Sequence, residues 1–415
     1  MSEQLRIQVW ADWAALGSAT MMGELMVAYV RGKQIFSFEY RQEWLDSGHA
    51  QTLDPDLAFF KGKQYADTGR ENFGVFLDSS PDRWGRVLMK RREAQRARAE
   101  GRQARPLLSS DFLLGVHDSH RMGALRFKTS DVFLDNSDDM AAPPMTSLRE
   151  LEHASQQLER DDAEDDPDFS KWIGMLIAPG GSLGGARPKA SVHDPDGHLW
   201  IAKFPSVADE DNIGLWEAVV HQLATDAGIT VPDAMVKSYG GKHHTFLSSR
   251  FDREPQGARL HFASAMTLVG GVDGEGGSYL DLVQLLTEKG ANTEADLREL
   301  WRRIIFSICV SNTDDHLRNH GFLLCQAGWL LAPAYDLNPN AGGEGLCLNI
   351  SQTDNSQNLD LAREVAKLFR LKGKEAGQII DDVVTAVQRW RKVGNELGLS
   401  RSEMDRMQRA FRVVA

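Results

Sequence analysis

The stretch Ser311–Pro339, SNTDDHLRNHGFLLCQAGWLLAPAYDLNP, decides how the rest of the chain is read. Asp314 is followed after four residues by Asn319, and Asp336 comes after two short apolar runs, HGFLL and GWLLAPAY. Asp, four residues, Asn, then a further Asp beyond a strand pair is the spacing of a kinase catalytic loop and its metal-binding Asp. A carboxylate can accept the proton of an acceptor hydroxyl. An Asn oxygen and a second carboxylate are hard ligands suited to Mg²⁺, and a hairpin would bring them together. Two blander readings stay open. Asp, Asn and His are common turn residues. Asp314, His316 and His320 could also hold a metal, although no Cys or further His sits nearby at zinc-like spacing.

A nucleotide site must lie upstream if the first reading holds. Residues 177–206 read IAPGGSLGGARPKASVHDPDGHLWIAKFPS. Glycines let backbone N–H groups approach phosphates closely. RPKASVH and HLWIAKF are predicted strands joined by the turn Asp194-Pro195-Asp196-Gly197, with Lys203 near the end of the second. The loop is not a Walker A loop, because Ala186 follows Gly185, and no helix opens after it as a dinucleotide turn requires. A glycine-rich hairpin followed by a strand lysine is the kinase arrangement. Taken singly, the loop is also explained as flexible and Lys203 as a snorkelling surface side chain. Residues 211–227 are a predicted helix, and its Glu217 is the acidic candidate to pair Lys203, although helices commonly expose Glu.

The remaining sequence frames these two stretches. Residues 5–40 read as strands with a hairpin signal at Arg31-Gly32-Lys33. A helix is predicted after Trp84, and Lys90–Arg105 carries seven basic and two acidic residues. That pattern suits a contact with nucleic acid or an acidic partner, or simply a solvated helix face. Residues 128–170 are linker-like, with a helix predicted over TSLRELEHASQQLE, capped by Thr146, and then the acidic run ERDDAEDDPDF. VPDAMVKSY and HHTFLSSRFDR are two predicted strands, and Ser249, Arg250 and Phe251 fall where a hinge would join two lobes. From Leu260 the pattern is mainly helical, including ADLRELWRRIIFSICV and three candidates in the tail, LAREVAKLFRL, EAGQIIDDVVTAVQRWRKVG and SEMDRMQRAFRVV. The fold class expected is α+β: a two-lobed kinase-like fold with a β-rich front and a mainly helical rear.

Composition narrows the function classes. The 415 residues suffice for two domains. A net charge of −12 argues against a nucleic-acid coat, though not against a local basic patch. Three cysteines make no disulfide framework and point to a reducing compartment. MSEQLRIQVW shows no secretory pattern, and ATMMGELMVAYV is too short to span a bilayer, so the cytoplasm is expected.

GGSLGGARPKA, IAKFP, SSRFDR, SNTDDHLRN and APAYDLNP, in this order, resemble the HipA family of bacterial toxin serine/threonine kinases. GVFLDSSPDRWGR and DFLLGVHDSHRMGAL are similar to that family's N-terminal subdomain. The resemblance implies an N-terminal subdomain over 1–145, a kinase N-lobe over 146–250 and a helical C-lobe over 251–415. It implies ATP and Mg²⁺ as cofactors, Asp314 as the catalytic residue, and Asn319 and Asp336 as metal ligands. Phosphate contacts fall on Lys203 and on Gly184, Gly185, Ala186, Arg187, Pro188 and Lys189. Adenine contacts fall on Ser249, Arg250 and Phe251. Further nucleotide contacts fall on His316, Leu317, Arg318, Asn319, Tyr335 and Asp336. Autophosphorylation falls on Ser182. The implied partners are a helix-turn-helix antitoxin (HipB-like), through which DNA is bound, and a protein substrate such as an aminoacyl-tRNA synthetase. The chain departs from the familiar pattern at GGARPK, at Asp315 in place of glycine and at Arg318 in place of lysine. A non-catalytic partner that strengthens an antitoxin's hold on DNA, and a small-molecule kinase on the same scaffold, are the alternatives.

Overall fold

The structure is a computed structural model that describes residues 4–67, 69–134, 142–180 and 185–411. The chain divides into two compact units. The first comprises Met1–Asp209 with Asp252–Ala263, and the second Glu210–Phe251 with Ser264–Ala415.

The first unit opens with strands β1 (Leu5–Ala11), β2 (Thr20–Val30) and β3 (Lys33–Tyr40). Helix α1 (Gln42–Leu45), strand β4 (Gln64–Tyr65), helices α2 (Gly74–Asp78), α3 (Arg83–Ala99) and α4 (Ser109–Leu114), and strand β5 (Leu125–Lys128) follow. The strands form an antiparallel sheet in the order β4-β3-β2-β1-β5. Alternation sets its buried face: Ile7, Val9 and Ala11 of β1 are sealed from solvent, and successive side chains of a strand point to opposite faces. The predicted hairpin is present. Val30 pairs with Lys33, and Arg31 and Gly32 both take positive φ, 50° and 79°. Two left-handed residues make the turn whose twist matches the strands it joins. Gly23 is fixed by a close approach, since a Cβ there would lie 2.2 Å from the Glu39 carbonyl oxygen.

Helix α3 buries Trp84, Leu88, Met89 and Ala97 and turns its charges outward. Arg102, just beyond it, bridges Glu93 and Glu100, and Arg105 grips Asp111 with both terminal nitrogens, at 2.8 and 2.7 Å. The basic run is thus a solvated face partly neutralised by its own neighbours. Helix α5 (Leu148–Leu158) begins later than the sequence suggests. A short 3-10 turn occupies Met145–Ser147, and Thr146 is not its cap: Ser147 holds that position without a side-chain hydrogen bond. Helix α6 (Phe169–Gly180) precedes the antiparallel hairpin of β6 (Lys189–His193) and β7 (Leu199–Lys203). Its turn is closed by Asp194, whose Oδ1 accepts the N–H groups of Asp196 (3.0 Å) and His198 (2.8 Å).

The first unit's last segment, Asp252–Ala263, runs into strand β10 (Phe262–Ser264). The second unit starts earlier, with α7 (Ile213–Asp226) and the hairpin of β8 (Ala234–Lys237) and β9 (Thr245–Ser249). Asn212 caps α7, its Oδ1 accepting the N–H of Leu215 at 3.3 Å and of His244 at 3.0 Å. Then come α8 (Ala265–Val269), α9 (Tyr279–Lys289) and α10 (Thr293–Val310), whose Leu297, Leu300, Trp301, Ile304, Ile305 and Phe306 are fully buried. The hairpin of β11 (Gly321–Cys325) and β12 (Gly328–Leu331) follows α10. The tail carries α11 (Leu359–Val365), α12 (Gly373–Val387), α13 (Trp390–Glu396) and α14 (Arg401–Met407). The single long helix expected over 375–394 is broken at Gln388-Arg389. The break lets Trp390 lie flat on Phe411, with ring centroids 4.4 Å apart and planes 5° from parallel. Among the described residues no helix is long and apolar enough to cross a membrane.

Candidate active site

Helix α10 delivers the catalytic-loop candidate. It stops at Ser311, which takes a left-handed φ of 50°. A non-glycine residue holds that conformation at a steric cost, and here the Ser311 hydroxyl bonds both Gln357 Oε1 and the Ala410 carbonyl, each at 2.8 Å. The following Asn312 is buried, and its N–H returns to the Ser307 carbonyl at 2.9 Å.

Asp314 and Asp315 then face opposite environments. The Asp314 side chain is 82% exposed, with His316 Nε2 3.7 Å from its carboxylate. Asp315 is buried. Its carboxylate accepts the Cys347 N–H at 2.7 Å and the Tyr279 hydroxyl. Burial pushes its carboxyl up to about 6 and the Tyr279 phenol well above its usual range. His320 is likewise buried, and desolvation brings its imidazole down to about 3, so it is neutral at physiological pH.

Asn319 closes the loop. Its Nδ2 donates to the Asp314 carbonyl at 2.6 Å, so its amide oxygen is the end that could serve a metal ion. The β11–β12 hairpin begins two residues later, and Asp336 lies five residues beyond its last strand. The two ends are tied together, since the Tyr335 hydroxyl donates to the Arg318 carbonyl at 2.7 Å and Ala332 N–H to the Gly321 carbonyl at 2.9 Å. Asp336 is half-buried with φ +55°, a left-handed backbone that Asp tolerates better than most residues. Arg318 is turned outward onto Asp273 in a two-pronged ion pair, at 2.8 and 2.7 Å. A small cavity of about 10 Å³, roughly the space of one water, has Asn312, Asp315, Asn319, His320 and Tyr335 among its lining residues. Among the hinge candidates, Ser249 N–H bonds the Asp233 carbonyl at 2.8 Å, Arg250 is buried, and the Phe251 ring lies 5.7 Å from that of Tyr335. The second unit therefore holds the loop, the two candidate ligands Asn319 and Asp336, and an aromatic pair, all drawn from three separated segments. Two hard oxygens, one anionic, on a braced hairpin fit a Mg²⁺ ion that also binds phosphate oxygens.

The first unit holds the remaining candidates. Lys203 ends β7 opposite Lys189, which is buried. Gly185 has φ +86°, and a Cβ there would meet Lys189 Nζ at 2.7 Å. Its N–H donates to Asp82, and its carbonyl accepts from Trp84 N–H at 3.4 Å. The Trp84 indole donates to the Lys189 carbonyl at 3.1 Å. Arg187 is bidentate to Asp209, at 2.8 and 2.6 Å, and the Pro188 carbonyl accepts from Phe204 N–H. Ala186, between them, is exposed. Asp82 and Trp84, which brace this loop, were not singled out from sequence; their signal was the N-cap Asp before an apolar run. Ser182 and Gly184 lie outside the described residues. Glu217 is not a surface residue: it is buried on α7, in the second unit.

Comparison with known proteins bears on this arrangement. The model of the HipA-like C-terminal domain matches residues 181–391, just over half of the chain. The chain belongs to this family. Two curated relatives are a putative kinase of Haemophilus influenzae, 28% identical over 40% of this chain and 56% of its own length, and the putative kinase Y4dM of Sinorhizobium fredii, 29% identical over 48% and 52%. The chain thus spans about half the length of the curated relatives it matches. Its fold is that of HipA from the Shewanella oneidensis MR-1 toxin–antitoxin system, solved with HipB and operator DNA. The TM-score is 0.68 at 16% identity, covering 95% of this chain and 94% of that one. The α+β expectation, with a β-rich front and a helical rear, stands. The HipA-like family relation is the feature that the glycine-rich stretch, the loop at Asp314 and APAYDLNP together made legible.

Proposed function

We propose that the protein is an ATP- and Mg²⁺-dependent serine/threonine kinase acting as the toxin of a toxin–antitoxin pair. The observation that carries this reading is the pairing of an exposed Asp314 with Asn319 and Asp336 at the two ends of one braced hairpin. Asp314 orients the acceptor hydroxyl and takes up its proton. Asn319 and Asp336 hold Mg²⁺, which supplies charge neutralisation at the phosphates when bound. Lys203 and the backbone from Gly184 to Lys189 meet those phosphates, and Ser249 to Phe251 meet the adenine. Phosphoryl transfer asks the protein for positioning and charge compensation rather than covalent chemistry. Ser182 is the proposed autophosphorylation site, a HipB-like antitoxin the partner, and a translation component such as an aminoacyl-tRNA synthetase the substrate class. The cytoplasm is the proposed compartment, and residues 1–145, 146–250 and 251–415 the functional segments.

The reading is tested by following labelled phosphate from γ-labelled ATP into the full chain and into a cell lysate. Intact mass should rise by one phosphate with Mg²⁺, and not in Ser182→Ala. Asn319→Ala and Asp336→Ala should weaken binding of Mg²⁺-ATP far more than of metal-free ATP. Equal losses with and without Mg²⁺ would remove both residues from the metal site.

A further inference from the structure

Asp314 has little of its own to hold it. Its carboxylate stands in solvent, with the His316 Nε2 3.7 Å away. The neighbouring residue is held on several sides. Asp315 is 1% exposed, and its carboxylate binds the Cys347 N–H and the hydroxyl of Tyr279, which is itself fully buried. These two donors belong to segments that are already bolted together. Tyr279 N–H donates to the Asn349 carbonyl at 2.9 Å, and Asn349 N–H to the Gly277 carbonyl at 2.9 Å. The Ser278 hydroxyl is shared between the carbonyls of Asn349 (3.0 Å) and Ser351 (2.8 Å). The ring of His320 packs edge-on against Tyr279 at 5.4 Å, on the far side of the same loop. Only an ionised carboxylate offers two acceptors and no donor to such a frame.

We propose that Asp315 is a positioning residue, a buried anchor that locks the loop onto Tyr279 and Cys347 and thereby fixes where the adjacent Asp314 carboxylate stands. It acts through the backbone and touches neither nucleotide nor acceptor. The inference rests on the reading of Asp314 as the group that orients the acceptor. A displaced reacting group costs rate far more than it costs nucleotide binding, up to about 100-fold for a shift on the order of 1 Å.

The test measures phosphate incorporation from γ-labelled Mg²⁺-ATP into the full chain as a function of ATP concentration, for wild type, Asp315→Ala, Asp315→Asn, Tyr279→Phe and the Asp315→Ala/Tyr279→Phe double variant. Asp315→Ala should lower the maximal rate about 10- to 100-fold with the half-saturating ATP concentration within about twofold. Asp315→Asn, which keeps one acceptor, should recover part of the rate. The double variant should be no slower than Asp315→Ala, because both changes break one contact. Amide exchange should rise across residues 313–318 and stay unchanged in α10, a readout that does not depend on activity. Wild-type rates, a loss carried entirely by ATP affinity, additive losses, or unchanged exchange would each overturn the anchor. Asp314→Asn separates the two levels. If it is inactive while the Asp315 variants are fully active, the anchor fails and the function stands. If it is fully active, the functional reading itself fails.

Discussion

Asp118 in the first unit and Asp315 in the second are both nearly sealed from solvent, at 3% and 1% exposure, yet they are satisfied in opposite ways. Asp118 sits among cations. Arg126 reaches it at 2.6 Å and Arg259 at 3.2 Å, and Arg126 also binds Asp12 at 2.9 Å. Arg253 pairs with the buried Asp252 at 2.7 Å, and its other nitrogen binds the Arg121 carbonyl at 2.8 Å. Among the described residues Asp315 is bonded by a tyrosine hydroxyl and backbone N–H groups, and its carboxyl is pushed up by burial. Charge answered by charge makes a scaffold that is costly to break. Charge answered by neutral donors is only partly compensated. That second arrangement lies beside the residue proposed to orient the acceptor, where geometry matters more than stability.

The comparison can be broken in four places. The largest effect is expected from Asp314→Asn, which leaves both buried clusters alone. Transfer should fall about 10²- to 10⁴-fold while the melting temperature and the affinity for an ATP analogue hold, as a labelled-phosphate assay beside calorimetric titration will show. Asp118→Ala should come next. It removes the buried carboxylate shared by Arg126 and Arg259 and should cost the first unit about 3–5 kcal/mol, read by denaturant unfolding. Retained stability would mean that the ion pairs contribute nothing net.

His261 sharpens the contrast, because it is a neutral polar group within the charged unit. It is fully buried against Trp13, and desolvation lowers its imidazole to about 3. Its folded value lies below the unfolded value of about 6.5. The stability it contributes is therefore complete above pH 6.5 and lost as pH falls from there toward 3. His261→Phe should flatten that acid limb by as much as about 3 kcal/mol at pH 4, measured as the difference between unfolding curves at pH 7 and pH 4. The smallest change is Asn212→Ala. Removing the cap of α7 should cost about 1 kcal/mol in thermal unfolding and leave the acid limb of the first unit untouched.

What the sequence disclosed follows from where local chemistry is decisive. Strands β1 to β3 were legible because alternation and the Arg31-Gly32 turn are local signals. The loop at Asp314 and the hairpin after it were legible because spacing and residue type are both imposed by the proposed chemistry. Glu217 stayed open between a partner for Lys203 and a surface position because helix periodicity does not say how many sides of α7 are covered; its burial removes the second. The Thr146 cap failed because a 3-10 turn, which propensity does not foresee, took up that position. The break at Gln388-Arg389 is a tertiary choice, made by the stacking of Trp390 on Phe411. The anchoring of Asp315 was invisible for the same reason. Its partners Tyr279 and Cys347 lie more than thirty residues away on either side, and nothing in a window around Asp315 points to them.

The left-handed backbone of Asp336 carries a consequence for how this position can drift. Glutamate would preserve the carboxylate, but it has no particular tolerance for φ near +55°, whereas asparagine and glycine suit the backbone and lose the charge. Substitution tables would rate Asp336→Glu the mildest exchange. With Asp336 in its proposed role as a metal ligand, no single replacement satisfies both the backbone and the charge, so an exchange here costs one or the other.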